Sequence, residues 1–167
     1  MEKHRAVLLV DDDPDALDSL QQVIERSGVA CFKAESGPEA LTILREHMVQ
    51  VVISDHDMPG MDGVELLKLV ATRYPSICRI LLTARRDAET SVRAINLAGA
   101  YRFISKPCRA ADLLTTIHFA FEAAEHDAEN RRLSAQLRRL QSIIAEARRR
   151  APGIVEEIEN RQPSPVV

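Results

Sequence analysis

The chain has 167 residues, of which 46% are hydrophobic, and this suits one compact domain with an appendage better than two full domains. Its 22 basic and 25 acidic residues leave a formal net charge of -3, so no overall field draws it towards nucleic acid or a membrane surface. Cys31, Cys78 and Cys108 are too scattered for a zinc site and too few for a disulfide scaffold, which favours a reducing compartment. The first apolar run is too short for a signal peptide or a membrane span. We therefore expect a cytoplasmic protein without membrane contact.

Five short apolar, β-branched runs recur along the chain and favour buried strands. They cover residues 6–10, 29–34, 51–54, 77–83 and 101–105. Between them, apolar residues recur at intervals of three and four, which is helical spacing. This alternation predicts an α/β fold with a doubly wound parallel sheet and helices on both faces.

Three polar residues mark predicted helix starts. Asp13 precedes a proline at a first-turn position, while Ser36 and Asp62 each stand three residues before a glutamate, as in capping boxes. An N-cap is also the ordinary structural explanation of Asp13.

Reactive polar side chains follow four of the five predicted strands, at the edge where such sheets bind ligands. They are Asp11 and Asp12 after the first strand, Asp55 after the third, Thr83 after the fourth and Lys106 after the fifth. Clustered carboxylates raise one another's pKa unless a hard divalent cation such as Mg²⁺ compensates their charge. A hydroxyl and an ammonium group suit the oxygens of a transferred phosphoryl group. Taken singly, a threonine at a strand end or a lysine before proline is ordinary, so their joint placement carries the prediction of phosphoryl transfer to Asp55.

The segments LLVDDDP, SDHDMPGMDG, LLTA and FISKP, in this order and spacing, resemble the receiver domain of bacterial two-component response regulators. The resemblance covers about the first three quarters of the chain. It implies a flavodoxin-like five-stranded parallel sheet in the order 2-1-3-4-5, which makes the four polar-ended strands neighbours.

The resemblance also implies a role for each site residue. Asp55 matches the phosphoacceptor and Lys106 the invariant lysine, while Asp11 and Asp12 match the acidic pair that positions Mg²⁺ or Mn²⁺ beside Asp55. The main-chain carbonyl of Asp57 matches the third protein ligand of the metal.

The implied mechanism is a switch with no separate substrate turnover. A sensor histidine kinase offers a phosphohistidine, and the ionised Asp55 attacks it. The phosphoryl group then draws the Thr83 hydroxyl inward, and Phe103 rotates into the vacated space; without a hydroxyl, Phe103 makes no hydrogen-bonded switch. The alternative is that Phe103 is a simple core residue. Asp57 and Arg85 stand where the family modulates hydrolysis of the acyl phosphate.

From Ala110 no glycine or proline occurs for about 40 residues, which predicts a helix roughly 60 Å long. Steps of three and four define a coiled-coil seam, which we call the seam: Asn130, Leu133, Leu137, Leu140 and Ile144. A polar Asn130 in this register favours two-stranded, in-register pairing, so a parallel homodimer is expected. Alternatively, the leucine face packs on its own receiver, or the helix connects to an output domain absent from this chain.

The predicted organisation is a receiver domain at 1–122, a coiled-coil or signalling helix at 123–151 and a flexible tail at 152–167. The arginines of the helix fall largely off the seam and are typical of a solvated face. Nucleic-acid binding is not expected, because no helix-turn-helix, zinc finger or stacking aromatic residues accompany them.

The main functional prediction is a phosphorylation-dependent switch that lacks a domain-sized effector and acts on a downstream protein partner. One alternative is a haloacid-dehalogenase-like phosphatase, which also forms phosphoaspartate but carries its nucleophile on the first strand. The other is a coiled-coil adaptor whose receiver is silent.

Overall fold

The computed structural model describes residues 5–84 and 99–150, which contain five strands and four helices. The strands are β1 (Ala6–Val10), β2 (Ala30–Ala34), β3 (Val51–Asp55), β4 (Cys78–Thr83) and β5 (Arg102–Ser105). The helices are α1 (Pro14–Glu25), α2 (Gly37–Glu46), α3 (Gly63–Arg73) and α4 (Ala110–Arg150). Arg85, the predicted helix between the fourth and fifth strands, and the predicted tail at 152–167 lie outside the described residues.

The five strands form one parallel sheet in the order β2-β1-β3-β4-β5, which confirms the predicted fold class and strand order. Every residue of β1 and β3 is buried. Strands buried on both faces are apolar over most of their length, so these runs show no alternation of polar and apolar residues, and in β3 the polar Ser54 and Asp55 come only at the carboxyl end.

Alternate strand residues enter two separate apolar layers. Leu8 and Val52 pack with residues of α2 and α3 on one face. Val7 and Ile53 pack with residues of α1 and α4 on the other. Both layers are filled by hydrocarbon, so the polar residues that follow the strands are left at the carboxyl edge of the sheet.

Two of the predicted helix caps are confirmed in full. Asp13 Oδ1 accepts hydrogen bonds from the backbone N–H groups of Asp15 and Ala16, so Asp13 is the N-cap of α1. Asp62 and Glu65 form a reciprocal capping box at the start of α3. The cap function accounts for Asp13 and leaves Asp11 and Asp12 for other chemistry.

The predicted capping box of α2 is incomplete. Ser36 Oγ accepts from the backbone N–H of Glu39 as expected. The Glu39 carboxylate, however, accepts from the backbone N–H of Glu35, at 2.8 Å, instead of from Ser36. The Glu39 carboxylate therefore satisfies a donor one residue before the N-cap.

The chain divides into two compact units, Met1–Asp127 and Ala128–Val167. Within the first unit, α4 buries Leu113, Ile117 and Phe121. In residues 128–150 every side chain is exposed, and those of Leu137 and Leu140 are 60% and 56% exposed. The predicted long helix is confirmed, with one apolar face open to solvent.

No helix within 5–84 and 99–150 is both long and apolar enough to cross a membrane.

The three cysteines are free thiols, as the sequence predicts. Burial, aided by the charge of Glu25, raises the pKa of Cys31 to about 12, against a weaker opposite effect of Lys33. Burial likewise raises the pKa of Cys78 to about 11. Such thiols stay protonated at neutral pH, which makes them poor nucleophiles and poor metal ligands.

Gly63, the first residue of α3, leaves space for the backbone that carries Asp55. A Cβ on Gly63 would lie 2.0 Å from the Asp55 carbonyl oxygen and 3.0 Å from Leu81 Cδ1. We expect Gly63→Ala to lower the free energy of unfolding by about 3 kcal/mol, as overpacking of a rigid core does. Urea denaturation measures this loss.

Gly60→Ala is the matched control for that substitution. Gly60 has a φ of +80° but no atom within 4 Å of an added Cβ, so only backbone strain of about 1 kcal/mol is expected. Equal losses for Gly63→Ala and Gly60→Ala would contradict the proposed clash with the Asp55 carbonyl.

Candidate functional site

The sheet brings the five predicted site residues to one edge. In register, Ser54 lies opposite Val10, and Asp55 lies opposite Leu82. Asp11 and Asp12 follow β1, Thr83 ends β4, and Lys106 follows β5. Carboxylate oxygens of Asp11, Asp12 and Asp55 all lie within 4.8 Å of one another. Asp11 and Asp55 are buried, whereas Asp12 is exposed at the mouth of the site.

Lys106 joins two of these carboxylates. Its Nζ donates to Asp11 Oδ2 at 2.7 Å and lies 2.5 Å from Asp55 Oδ1. Its backbone N–H donates to the Thr83 carbonyl at 2.8 Å, which ties the residue to β4. The Lys106–Pro107 peptide bond is cis. The ammonium group is thus held inside the site.

Burial and charge act in opposite directions on this pair. Burial raises the pKa of Asp55 above its usual range, and the nearby charge of Asp11 adds to the rise, although Lys106 opposes it. Burial alone lowers the pKa of Lys106, but its hydrogen bonds to Asp11 and Asp55 outweigh that effect and leave the pKa raised. One ammonium group faces three carboxylates, so the site retains an excess of acidic groups.

The two residues after Asp55 shape its surroundings. The backbone N–H of Asp57 donates to Asp55 Oδ2 at 2.9 Å, so both oxygens of Asp55 have a donor. His56 Nε2 lies 3.9 Å from Asp57 Oδ1. Among the described residues, His56 Nδ1 is buried and has no hydrogen-bond partner. The assignment of the Asp57 carbonyl as a metal ligand stays a prediction.

The two predicted switch residues differ sharply in exposure. Thr83 is 2% exposed and lies opposite Ser105 of β5. Phe103 is 41% exposed and lines an open cavity of about 460 Å³ with Pro107 and Cys108, among others. The alternative that Phe103 is a core residue is therefore wrong. Its role as a switch stays a prediction.

Gly63 is the site residue that the sequence reasoning missed. It touches no reacting group, yet its missing side chain makes room for the Asp55 carbonyl. The available signal was a glycine directly after the Asp62 N-cap, a place where helices tolerate many residues. Only the distance to Asp55 shows why glycine is needed there.

Comparison with known proteins gives a consistent result. The family described as the response regulator receiver domain matches residues 7–118. The hydrogenase transcriptional regulatory protein HoxA of Cupriavidus necator is 34% identical over 137 residues, which cover 82% of this chain and 28% of that protein. The C4-dicarboxylate transport transcriptional regulatory protein DctD of Rhizobium meliloti is 38% identical over 128 residues, which cover 77% of this chain and 28% of that protein. This chain thus spans little more than a quarter of the length of these relatives.

Solved structures agree with the fold. The signal receiver domain of an HD domain-containing protein from Pseudomonas fluorescens Pf-5 is 35% identical with a TM-score of 0.72, covering 74% of this chain and 99% of that chain. A CheY-like response regulator receiver domain protein from Methanospirillum hungatei JF-1 is 31% identical with a TM-score of 0.71, and the match covers 75% of this chain and 99% of that chain. The strand order, the acidic pocket with its lysine, and these matches together show that the chain belongs to the response regulator receiver domain family of two-component signalling.

Proposed function

We propose that Asp55 accepts a phosphoryl group from a sensor histidine kinase and that the modified receiver changes its protein contacts. The observation that carries this proposal is the position of Asp55: it is buried at the centre of the site, with Lys106 at one oxygen and the Asp57 N–H at the other. Fixed donors at a reacting carboxylate need no reorganisation during the reaction.

In the proposed step, one Asp55 oxygen forms a bond to phosphorus as the phosphorus–nitrogen bond of the phosphohistidine breaks. The electron pair of that bond leaves on the imidazole nitrogen of the kinase. Lys106 already lies between Asp11 and Asp55, so its charge offsets the negative charge that spreads over the phosphoryl oxygens. Asp11 keeps the ammonium group in place when the charge on Asp55 is redistributed.

Asp11, Asp12, Asp55 and the carbonyl of Asp57 would hold Mg²⁺, or Mn²⁺, at this site. The donor set fits, since three carboxylates within reach of one another are hard oxygen ligands whose charge a single lysine does not balance. When bound, the ion would neutralise negative charge on the phosphoryl oxygens.

Asp12→Asn tests the metal assignment. Asp12 is the exposed member of the carboxylate cluster and has no part in the Lys106 ion pairs, so its loss leaves those pairs intact. We expect Mg²⁺ affinity to fall roughly tenfold or more, because one anionic ligand becomes neutral. Isothermal titration calorimetry on the unphosphorylated protein gives the affinity. Asp15→Asn, an exposed first-turn carboxylate of α1, is the control, and full affinity in Asp12→Asn would refute the assignment.

Thr83 and Phe103 are the proposed output of the site. Thr83 ends the strand next to Asp55, where its hydroxyl can follow the new phosphoryl oxygens. The exposed position of Phe103 is the one from which an inward rotation is possible. Phosphorylation would thereby change the surface beside β5.

Incubation with acetyl phosphate and Mg²⁺ tests the proposed function. We expect one added phosphoryl group by intact mass, stable in acid, removed by hydroxylamine, and located by peptide mapping on Asp55. Steady release of phosphate from generic monoesters would favour the phosphatase. No adduct would favour the adaptor with a silent receiver.

We also propose that the protein forms a homodimer through the seam, in the cytoplasm. The support is an exposed apolar face at heptad spacing, which a partner helix would cover. Asn130 alone favours a parallel pair. The apolar layers form in either direction, however, so direction depends on the charged residues beside the seam.

Leu137→Asp is expected to shift the protein from dimer to monomer, lowering the association constant at least a hundredfold, because a carboxylate would enter an apolar layer. Sedimentation equilibrium measures the mass. Ser142→Asp, an exposed position off the seam, is the control and should remain dimeric. An unchanged mass for Leu137→Asp would refute the interface and favour a helix packed on its own receiver.

A second candidate rests on the relatives, which are described as transcriptional regulators and are much longer than the receiver. If this chain is part of a longer protein, α4 would connect the receiver to an output region. Expression of the full reading frame would separate this role from that of a receiver acting on a downstream protein partner.

A further inference from the structure

The part of α4 that lies in the second unit has a self-complementary arrangement of charges. Of the residues that flank the seam, the acidic Asp127 and Glu129 stand at its beginning and the basic Arg148 and Arg150 at its end, and all four are exposed. The other charged residues of this segment, Arg131, Arg132, Arg138, Arg139, Glu146 and Arg149, do not flank the seam, so at the flanking positions the acidic and basic groups stand at opposite ends. Which of them meet in a dimer depends on the direction of the two helices.

A parallel pair brings together groups that do not attract. In that arrangement, a residue directly before one seam layer faces the residue five positions later on the second helix. When the register is extended back by one heptad to Ala123, Glu122 meets Asp127, with like charge, and Glu129 meets the neutral Ser134. Across a two-fold axis the Glu122–Asp127 repulsion occurs twice, and no attraction offsets it.

An antiparallel pair centred between residues 138 and 139 brings opposite charges together. In this register Leu137 faces Leu140 of the second copy, and Asn130 faces Ala147. Residues that flank the seam meet with an offset of two positions from the seam layers, so Asp127 lies beside Arg148 of the second copy and Glu129 beside Arg150. The two-fold axis generates four such ion pairs. Arg150 also pairs with Glu146 of its own helix at 2.6 Å, and its guanidinium group has further N–H donors for Glu129 of the second copy.

The antiparallel register also matches the length of the free helix. It pairs residue 128 with residue 149, so the whole exposed segment of about 34 Å is covered by its counterpart. Asn130 falls in the outermost layer at each end, opposite a small alanine, where water can reach the amide. The polar residue is therefore accommodated without a buried, unpaired group.

We propose that two copies pair through α4 in antiparallel orientation, with Asp127 of each copy bound to Arg148 of the other and Glu129 bound to Arg150. This inference deepens the proposed homodimer and rests on it. It replaces the parallel direction predicted from Asn130 alone, because four attractive pairs outweigh one polar layer that either direction can accommodate.

Single cysteines at Asn130 and at Ala147, the next position of the register after Ile144, test the direction. In an antiparallel pair, residue 130 lies next to residue 147 of the second copy and about 25 Å along the axis from residue 130 of that copy. Oxidation should therefore cross-link a mixture of Asn130→Cys and Ala147→Cys proteins into heterodimers, with little product from either alone. The wild-type chain is the background control for its own thiols. Disulfide-linked homodimers of Asn130→Cys, together with no heterodimer of Asn130→Cys and Ala147→Cys in the mixture, would overturn the antiparallel direction.

Charge reversal gives an independent test. Arg148→Glu with Arg150→Glu should weaken self-association on the order of tenfold, as should Asp127→Lys with Glu129→Lys. Mixing the two variants restores all four opposite pairs, so the heterodimer should regain wild-type affinity and lose it again in high salt. In a parallel dimer, Asp127→Lys would instead face Glu122 and strengthen self-association of its own variant, and that result would overturn the direction while the dimer stands. A monomeric wild-type chain by sedimentation equilibrium would overturn both.

Discussion

Asp55→Asn is expected to abolish the phosphorylated adduct completely. The side chain keeps its shape, but the amide oxygen is neutral and does not displace the imidazole of a phosphohistidine. We expect no substitution by Asp11 or Asp12, because only Asp55 has Lys106 at one oxygen and the Asp57 N–H at the other, and Asp12 stands exposed at the mouth of the site. Intact mass after incubation with acetyl phosphate and Mg²⁺ measures the effect.

Asp57→Asn is the matched control for Asp55→Asn. It removes the same charge two residues away, while the backbone N–H that donates to Asp55 is retained. We expect the adduct to form in this variant. An adduct of wild-type yield in Asp55→Asn would mean that another residue is the acceptor, and peptide mapping would then identify it.

Lys106→Met is expected to slow phosphoryl transfer by roughly 10² to 10³-fold, the usual cost of losing one preorganised charge at the reacting group. The affinity for Mg²⁺ should rise at the same time, since the ammonium group no longer balances Asp11 and Asp55. Single-turnover rates and a Mg²⁺ titration measure the two effects separately. Opposite changes in rate and metal affinity distinguish this role from general damage to the fold.

Arg109→Met supplies the control for Lys106→Met. Arg109 is exposed and three residues further along the chain, so the same unit of charge is lost outside the site. We expect its rate and metal affinity to stay within about twofold of wild type, as screening of an exposed charge implies. Equal losses in both variants would show that net charge alone governs the reaction.

Much of this architecture follows from the sequence because the strands and helices differ in hydrophobic period. The apolar runs identify the five strands to within about one residue at each end, and the signal is clearest for β1 and β3, which are buried on both faces. The joint position of Asp55 and Lys106 at strand ends is predictable for the same reason. Parallel strands place their carboxyl ends at one edge.

Features that depend on exact distances between atoms could not be predicted from the sequence. The carboxylate of Glu39 binds the N–H of Glu35 instead of that of Ser36, a choice between neighbouring donors that spacing alone does not determine. Gly63 is required by the Asp55 carbonyl, which belongs to a different element. The exposure of Phe103 depends on which elements cover β5, and a four-residue strand carries no sign of that.

The central strands β1 and β3 are hydrogen-bonded on both sides and buried on both faces. Their amide protons therefore exchange with solvent only when the whole sheet opens, so their exchange rate reports the global free energy of unfolding. The amides of residues 128–150 lie in a helix whose side chains are all exposed, and local fraying suffices to exchange them. A single exchange experiment thus separates two quantities in one chain: the sheet reports folding, and the exposed helix reports whether a partner covers it.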